Sequence, residues 1–500
     1  MKILLIQCDS VLGKVEVQTT GKGSMPPLGL MYLSGYLKKH GFTDIFLLDL
    51  IMEPDRIGAL NQFISKFGRD EDLLIGFYMN TRVRFAVREA IKIVKAHLPK
   101  AIICAGGPHP TLDKEDTLKN CDGLDFIVIG EGEETFLEVV KALTNDFKIS
   151  AVKDIIGLSL RLDGHIIHNA KRDRIKDLND LSFPDRDIVD IKKYRFTFSL
   201  RDKELQKTFR PTTIIASRGC PYQCVFCSVA DQWGRLNTFS GTDRVIEEMK
   251  LLKEKYNFNA LYFCDDTFTL NRKRTVELCA KMIEAELNMI WFCELRANTV
   301  DEELLTLMYK AGLRSAAMAV ESASPRILKE VVKKGITLEQ AQEAVKILKN
   351  LGVAIKVFFT YSYPTETKED VKMTLDFIRK LDPDLPAIAR LLVYPGTPLH
   401  KYAQEHNLLP KGFSWFKYYS FYDSLSNPTF APTFVDKLTT SDFIWVRNEL
   451  AEISGSPTLA DRSIFELIRN FIKSIRKVRS AEDFSLFKSR FAIRFKQLFK

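Results

Sequence analysis

Three cysteines within eight residues could hold one metal centre. Cys220, Cys224 and Cys227 lie in the segment Cys-Pro-Tyr-Gln-Cys-Val-Phe-Cys, directly after the strand-like run 212–217. Thiolates bind iron–sulfur clusters, and a four-iron cluster normally takes four cysteines. The sequence offers no fourth Cys or His at zinc-ribbon or zinc-finger spacing. The spacing therefore predicts a cluster with one iron open to an outside ligand, which indicates chemistry; a structural zinc site is the alternative.

Polar residues also follow most of the strand-like runs that come after the cysteines. Asp265 and Asp266 follow the second run, Arg296 the third, and Glu321 and Ser322 the fourth. Acidic acceptors and an arginine donor would suit a cofactor that carries an amine, a carboxylate and hydroxyl groups. Helix N-capping is the alternative role for the second aspartate and the serine.

The elements that must position these residues alternate regularly between residues 206 and 400. The strand-like runs are 212–217, 260–264, 289–294, 315–320, 354–360 and 387–393, with helical stretches such as 243–255 and 338–350 between them. Six such units predict a partial (β/α)6 TIM-type barrel. Active residues of these barrels lie at the C-terminal ends of the strands, where the cysteines and the polar residues fall.

Residues 1–145 show a second, separate alternation. Strand-like runs at 2–6, 44–48, 73–77, 101–105 and 126–129 are joined by helical periodicity. Five such units predict a doubly wound, flavodoxin-like (Rossmann-like) parallel sheet that binds a ligand beyond its strand C-termini. The candidate binding residues at those ends are Cys8, Asp9, Gly106, Gly107, Pro108, Gly130 and Glu131. An ordinary strand-to-helix turn is the alternative for the Gly-Gly-Pro segment.

The cysteine segment and three N-terminal motifs together resemble the family of cobalamin-binding radical S-adenosylmethionine (SAM) enzymes. The motifs are Pro-Pro-Leu-Gly-Leu at 26–30, Gly-Gly-Pro-His-Pro at 106–110 and Gly-Glu-Gly-Glu-Glu at 130–134, and the resemblance spans residues 1–400. It implies a 4Fe-4S cluster on the three cysteines and cobalamin on the N-terminal residues above. It implies SAM contacts by Phe226, Asp265, Asp266, Arg296, Glu321 and Ser322.

One part of the cobalamin pattern is absent from this sequence. Many cobalamin proteins carry Asp-x-His-x-x-Gly after the first strand, with the His on cobalt, whereas this sequence reads Asp-Ser-Val-Leu-Gly at 9–13. Members of the resembling family commonly lack that His, so the lower cobalt face would be open or bound by water. His109 is a conceivable substitute ligand, with turn capping or solvent exposure as its alternative.

The resemblance implies that SAM cleavage yields a 5′-deoxyadenosyl radical and that methylcobalamin supplies a methyl group. It predicts methylation of an unactivated carbon, or of phosphorus, in a small-molecule or lipid-like substrate. A low-potential electron donor such as flavodoxin or ferredoxin would serve it. Radical cyclisation, ring contraction or oxidation without methyl transfer is the alternative. A non-catalytic iron–sulfur sensor or electron carrier is an alternative of another class.

Composition and charge bound these interpretations. The 500 residues are 46% hydrophobic, and nine cysteines favour reduced thiols over a disulfide framework. The N-terminal apolar run is too short for a signal peptide and no run of eighteen apolar residues occurs, so we expect a cytoplasmic protein. Residues 146–205 read as a linker with a hairpin turning at Asp163-Gly164.

Residues 401–500 do not continue the barrel pattern, and we expect a mainly helical extension. Its tail, 463–500, holds ten Lys or Arg against three acidic residues, a net charge of +7 out of +9 for the chain. The body is therefore nearly neutral, and no nucleic-acid partner is expected. Apolar residues at helical spacing within the tail predict a basic amphipathic helix, which would make a peripheral membrane contact or, alternatively, pack on the domain.

Overall fold

The computed structural model describes residues 1–13, 23–409, 412–417 and 437–453. Within them two separate parallel sheets carry the two halves of the chain, which confirms the predicted α/β class with a Rossmann-like sheet followed by a partial barrel. The predicted amphipathic tail, 463–500, lies outside the described residues.

All five predicted N-terminal strands are present, and all are parallel to their neighbours. They are β1 (Lys2–Gln7), β2 (Ile45–Asp49), β3 (Leu73–Tyr78), β4 (Ile102–Gly106) and β5 (Phe126–Val128). Alternate residues of β1 face different cores: Leu4 and Ile6 pack in one, Ile3 and Leu5 in the other. Burial on both faces explains why the strands are continuous apolar runs.

Helices cover both faces of this sheet. They are α1 (Leu28–Lys39), α2 (Arg56–Ile64), α3 (Arg84–His97), α4 (Pro108–Leu112), α5 (Lys114–Asn120) and α6 (Gly132–Asn145), with 3-10 turns at Leu50–Met52 and Ile149–Val152. Residues of α1 and α6 share one core, and those of α2 and α3 share the other. The C-terminal strand ends are left open between them.

The predicted hairpin extends the sheet. Strands β6 (Leu158–Leu162) and β7 (His165–His168) add to β5 in antiparallel fashion, so the order is β2-β1-β3-β4-β5-β6-β7. Asp163 and Gly164 at its turn have φ of +49° and +79°. Positive φ at both central residues is the geometry of a type I′ hairpin turn, as predicted.

The segment after the hairpin crosses to the second sheet and packs beneath it. It contains 3-10 turns at Leu178–Asp180, Arg186–Ile188 and Ile191–Lys193, then α7 (Lys203–Thr208). Phe196 and Phe198 are buried against Ala260 and Phe292 of the barrel strands. The Phe198 and Phe292 rings stack with centroids 5.6 Å apart. An aromatic floor, formed by Phe198 and Phe292, therefore fills the N-terminal end of the barrel.

Six parallel strands form the partial barrel in the order β15-β14-β13-β12-β11-β8. The strands from this half of the chain are β8 (Pro211–Ile214), β9 (Ser217–Arg218), β10 (Thr238–Phe239), β11 (Ala260–Phe263), β12 (Ile290–Leu295), β13 (Leu313–Glu321), β14 (Ala354–Tyr361) and β15 (Leu385–Arg390). Strands β9 and β10 form a small antiparallel pair outside the barrel. The last strand ends at residue 390, not 393, because Leu391 and Val393 already pack in the core of the N-terminal sheet.

Helices of this half pack outside the barrel and beyond it. They are α8 (Val229–Trp233), α9 (Thr242–Glu254), α10 (Arg272–Glu284), α11 (Glu302–Lys310), α12 (Leu338–Asn350), α13 (Lys368–Leu381), α14 (Pro398–Glu405) and α15 (Thr440–Ile453), with a 3-10 turn at Ala297–Thr299 and a π-helical turn at Ile327–Val332. Thr337 and Gln340 form a capping box that starts α12. None of the helices in the described ranges has the length and apolarity needed to cross a membrane.

Candidate functional site

A cavity of about 300 Å³ lies between the two sheets. Its N-terminal wall is made by the strand-end loops after β4 and β5, and its opposite wall by residues at the mouth of the barrel. Five of the seven predicted cobalamin residues line it, namely Gly106, Gly107, Pro108, Gly130 and Glu131. The barrel contributes Ser217, Arg218, Trp233, Cys264 and Asp266. The C-terminal ends of both sheets thus face one space.

Two glycines give the N-terminal wall its shape. Gly107 has φ +109°, and a Cβ on it would lie 2.8 Å from the Met79 carbonyl oxygen. Gly130 has φ +75°, and a Cβ there would point into open space. Both backbones lie in the left-handed region that favours glycine, so these turns bring main chain to the cavity surface where a large planar ligand could approach it.

The three cysteines form a half-buried loop beside this cavity. Burial raises the pKa of the Cys227 thiol to about 12, and the charges of Cys224 and Cys220 act on it as well, so the thiols are close neighbours. In the described ranges no three His, Cys, Asp or Glu side chains converge tightly enough for a single ion. A zinc site needs four ligands at about 2.0–2.3 Å, whereas a cluster spreads its cysteines over several irons. The loop therefore suits a cluster better than zinc.

Arg296 reaches from the end of β12 to the cysteine loop. Its guanidinium lies over the Tyr222 ring at 3.5 Å, and its Nη1 is 4.0 Å from the Cys224 sulfur. Asn298 accepts from its Nε at 3.0 Å. The Nη2 atom is buried and has no hydrogen-bond partner among the described residues. The Arg296 guanidinium therefore retains one unpaired NH2 group, at Nη2, next to the position predicted for the cluster.

The adjacent aspartates at the end of β11 point in different directions. Asp266 is exposed to the cavity, and its carboxylate accepts from the Gly219 N–H at 3.2 Å. Asp265 is buried and accepts from the Ala216 N–H at 3.1 Å and from the Ser217 hydroxyl. Burial raises the pKa of Asp265 to about 6. Asp265 therefore joins β11 to the segment that carries the cysteines, and only Asp266 is available to a ligand in the cavity.

The fourth-strand residues are buried and paired. Glu321, at φ +75°, accepts from Lys334 at 2.9 Å and from the Thr360 hydroxyl at 2.9 Å. Ser322 is fully buried; its hydroxyl accepts from the Ser324 N–H at 3.2 Å and lies 3.3 Å from the Thr374 hydroxyl. Both polar groups are already satisfied by protein, so a SAM contact by either stays a prediction.

The remaining predicted residues lie away from the cavity lining. Phe226 packs at the edge of the core near Tyr363, with ring centroids 6.2 Å apart. Cys8 is buried, and burial raises the pKa of its thiol. Asp9 pairs with Arg56 at 2.6 Å. None of these three residues lines the cavity, and their predicted roles stay predictions.

His109 is a core residue. It is fully buried, its Nδ1 lies 3.1 Å from the Thr81 hydroxyl, and its ring packs edge-on against those of Trp415 and Phe416. Burial lowers the pKa of His109 to about 3. It is absent from the cavity lining, so it is placed neither as a cobalt ligand nor as the exposed turn residue that was the alternative.

The structure adds an ion network that the sequence reasoning missed. Arg218, directly before Gly219-Cys220, donates to Glu131 at 2.9 Å and to Glu133 at 2.6 Å. Glu131 also accepts from the Ile175 N–H at 2.9 Å and lies 3.7 Å from Arg174. This bridge connects the N-terminal sheet to the cysteine loop. The acidic Gly-Glu-Gly-Glu-Glu motif was the only sequence signal for it.

Two family models match the two sheets separately. Residues 17–140 match the model described as "B12 binding domain", and residues 214–378 match "Radical SAM superfamily". The chain is also 34% identical over 423 residues to "Uncharacterized methyltransferase PH0819" of Pyrococcus horikoshii, which covers 84% of this chain and 86% of that protein.

The chain belongs to the cobalamin-binding radical SAM family. It is therefore a cobalamin-dependent radical SAM enzyme of methyltransferase-like type, and its cofactors are a 4Fe-4S cluster, SAM and cobalamin. The alternative of a non-catalytic sensor or electron carrier is therefore not supported. A further relative of this radical SAM enzyme is the anaerobic magnesium-protoporphyrin IX monomethyl ester cyclase of Rubrivivax gelatinosus, 27% identical over 80% of this chain and 69% of that protein.

A solved structure supports the fold. The radical SAM methyltransferase TsrM of Kitasatospora setae, with cobalamin and a 4Fe-4S cluster bound, superposes with a TM-score of 0.63. It is 19% identical and covers 81% of this chain and 76% of that chain. At that identity the likeness supports the arrangement of the two domains and not the roles of single residues.

Proposed function

We propose that this radical SAM enzyme methylates an unactivated carbon, or a phosphorus, of a small-molecule substrate. One observation carries the proposal: the glycine-bearing strand ends of the B12-binding domain and the cysteine-loop side of the barrel face the same cavity. A methyl donor and a radical source must both reach one substrate atom, and that needs one shared space.

The chain's residues divide the binding work in this proposal. Cys220, Cys224 and Cys227 would hold the cluster, and Asp266 with the free Arg296 Nη2 would contact the polar end of SAM. Gly106, Gly107, Pro108, Gly130 and Glu131 would hold cobalamin. When bound, these cofactors supply a carbon-centred radical and a transferable methyl group; the protein contributes position and a dry surrounding.

The residues of the cavity wall are suited to keeping the surroundings of the cofactors dry. Its lining includes Leu30, Leu33, Tyr32, Phe136 and Trp233. Apolar side chains exclude water, and exclusion of water prevents quenching of a reactive intermediate before it meets its partner. Among the ionisable groups that line it, the Arg218 guanidinium forms ion pairs with both of the glutamates beside it.

Anaerobic turnover tests this function. The protein would be purified with cobalamin supplied, its cluster reconstituted and reduced, and its products measured with methyl-labelled SAM. Methylation predicts S-adenosylhomocysteine and 5′-deoxyadenosine in equal amounts, with label in the product. Failure to retain a corrinoid, or SAM cleavage without homocysteine product in the presence of substrate, would contradict methyl transfer.

The cyclase relative supports a second candidate. Radical cyclisation, ring contraction or oxidation would use the same cofactors and the same cavity, but would form no S-adenosylhomocysteine. The ratio of the two SAM products therefore separates the two candidates in one experiment.

We further infer a cobalamin domain at 1–145, a linker at 146–205, a radical SAM domain at 206–400 and a helical region at 401–500. A low-potential flavodoxin or ferredoxin would be the electron donor. A lipid-like substrate and a peripheral membrane contact depend on the tail at 463–500, outside the described residues. Vesicle co-sedimentation of the full chain tests the membrane contact. Cytoplasmic location is part of the same proposal.

A further inference from the structure

A row of side chains crosses the interior of the barrel below the cofactor cavity. Glu294 on β12 is in register with Ala317 on β13, and Ala317 is in register with Lys356 on β14. Their sequence neighbours Cys293, Met318 and Val357 lie in the core on the helix side. Side chains alternate between the two faces of a strand, so this row faces the lumen.

The two charged members of the row form no direct ion pair with each other, although the charge of Lys356 acts on Glu294. Glu294 accepts from the Tyr262 hydroxyl at 3.0 Å. The Lys356 ammonium makes no hydrogen bond or ion pair with any described residue, and it lies over the Phe358 ring, 4.6 Å from the ring centroid. In-register positions two strands apart are separated by about 10 Å, and the residue between them is alanine. The row therefore holds a lysine whose ammonium has no hydrogen-bond acceptor among the described residues.

The floor below the row is aromatic. Phe292 precedes Glu294 by two residues on the same face of β12, and its ring lies 4.6 Å from that of Tyr262 and 5.6 Å from that of Phe198. Above the row, Ala319 on β13 and Ala387 on β15 flank Phe358. The in-register neighbours of Lys356 are Ala317 on one side and Leu385 on the other, so neither side chain offers it a hydrogen-bond acceptor.

The row is connected electrostatically to the proposed cofactor side. Burial raises the pKa of Glu294, and the charges of Asp266, Lys356 and Lys334 all act on it, so these groups lie near one another. Lys334 is already paired with Glu321 at 2.9 Å. Lys356 is thus the lysine of this group that is left for a ligand.

We propose that Lys356, above the aromatic floor, is the anion-binding residue of the substrate subsite, and that the substrate is a small molecule with an apolar body and one anionic group, a carboxylate or a phosphate. The proposal rests on the function proposed above. A half-buried ammonium without a hydrogen-bonded counter-ion gains most from a charge-assisted hydrogen bond with an oxyanion. The anion would lie in the row, and the apolar body would extend toward the cofactor cavity.

Binding of simple probes tests this subsite. Wild-type protein, reconstituted, loaded with cobalamin and SAM and kept oxidised so that SAM is not cleaved, would be titrated with 3-phenylpropionate, phenyl phosphate and the neutral 3-phenylpropionamide. We expect the anions to bind more tightly than the amide, and Lys356→Met to weaken the better anion by about 10- to 100-fold. Whether carboxylate or phosphate binds better identifies the anion class.

Matched variants distinguish loss of the Lys356 charge from a general loss of folded protein. Lys356→Arg should restore most of the anion affinity, and Lys372→Met, on the exposed face of α13, should leave it unchanged. Amide binding should be similar in all variants. Equal affinity of anion and amide in the wild type, absence of anion binding, or full anion affinity in Lys356→Met would each overturn the proposal.

The outcome is independent of the test of the proposed function. The same wild-type preparation, once reduced, reports SAM cleavage and corrinoid content. Anion discrimination with no SAM cleavage would contradict the proposed function and leave the subsite standing. SAM cleavage without anion discrimination would do the reverse.

Discussion

The bridge between Arg218 and the carboxylates of Glu131 and Glu133 offers a quantitative test of how the B12-binding domain is held to the cluster loop. The exposed fractions of the three side chains are 9%, 5% and 6%. Burial alone would lower the pKa of Arg218, but the two carboxylates outweigh it and raise that pKa. The guanidinium is therefore charged, and both carboxylates depend on it.

Arg218→Met removes the charge and keeps most of the apolar stem. Removing one partner of a buried ion pair costs about 3–5 kcal/mol. Arg174 at 3.7 Å from Glu131 would remain, as would the position of Glu133 in the first turn of α6, which favours a negative charge. We therefore expect a loss of local stability near the lower end of this range, about 3 kcal/mol. This corresponds to about a 100-fold change in the equilibrium for local opening of the bridge region.

Hydrogen exchange measures this opening directly. Amides of β9 and of the first turns of α6 should exchange about 100-fold faster in Arg218→Met, while the α12 amides should not change. Arg272→Met is the matched control, because Arg272 pairs with Asp301 at 2.7 Å and Glu303 at 2.6 Å on the exposed surface. Its effect should be much smaller.

A double variant tests whether the stranded carboxylates cause the loss of stability. Adding Glu133→Gln to Arg218→Met removes one of the stranded charges, so the double variant should be more stable than Arg218→Met alone. A change in exchange of less than about fivefold in Arg218→Met, which is about 1 kcal/mol, would contradict this role of the bridge. Effects of the two substitutions that simply add would contradict it as well.

Three further predictions concern the cluster loop and the core. Cys224→Ala should abolish the charge-transfer absorbance of the reconstituted cluster and reductive SAM cleavage, and unchanged absorbance would remove this residue from the ligand set. Gly219→Ala should lower cluster occupancy measured as iron per chain, because its Cβ would collide with a backbone carbonyl, whereas Gly234→Ala, with equally positive φ but open space, should affect it much less. His109 stays neutral when folded because burial lowers its pKa to about 3, so the unfolded chain binds the proton and stability should fall by about 2 kcal/mol between pH 7 and pH 5. Chemical unfolding of His109→Gln should lack that part of the pH dependence, and the exposed control His165→Gln should keep it.

Which strand-end residues meet a ligand was only partly predictable. Asp265 and Asp266 carry the same chemistry, but consecutive residues point to opposite sides, so one ties β11 to the preceding strand and the other faces the cavity. Cys8 and Asp9 follow β1 at the same edge as Gly106 and Gly130, yet Arg56 holds Asp9 away from the lining. Spacing cannot distinguish these cases, because the direction of a side chain depends on its neighbours in space.

The row of Glu294, Ala317 and Lys356 could not be predicted from spacing either. Glu294 and Lys356 are 62 residues apart in sequence, and only the register of β12, β13 and β14 places them in one row with an alanine between them. Likewise, Arg218 meets glutamates 85 and 87 positions earlier. Local sequence patterns do not predict such pairings between distant residues.

The sequence by itself determined the features that are built within short segments. Three cysteines in eight residues predict the cluster loop, apolar runs with helical spacing between them specify both sheets, and Asp163-Gly164 specifies a hairpin turn. The tertiary structure alone decided that the hairpin joins the first sheet, that the two sets of strand ends enclose one cavity, and which polar groups remain unpaired there. Short-range patterns reflect local backbone geometry, whereas a shared cavity depends on packing between domains distant in sequence.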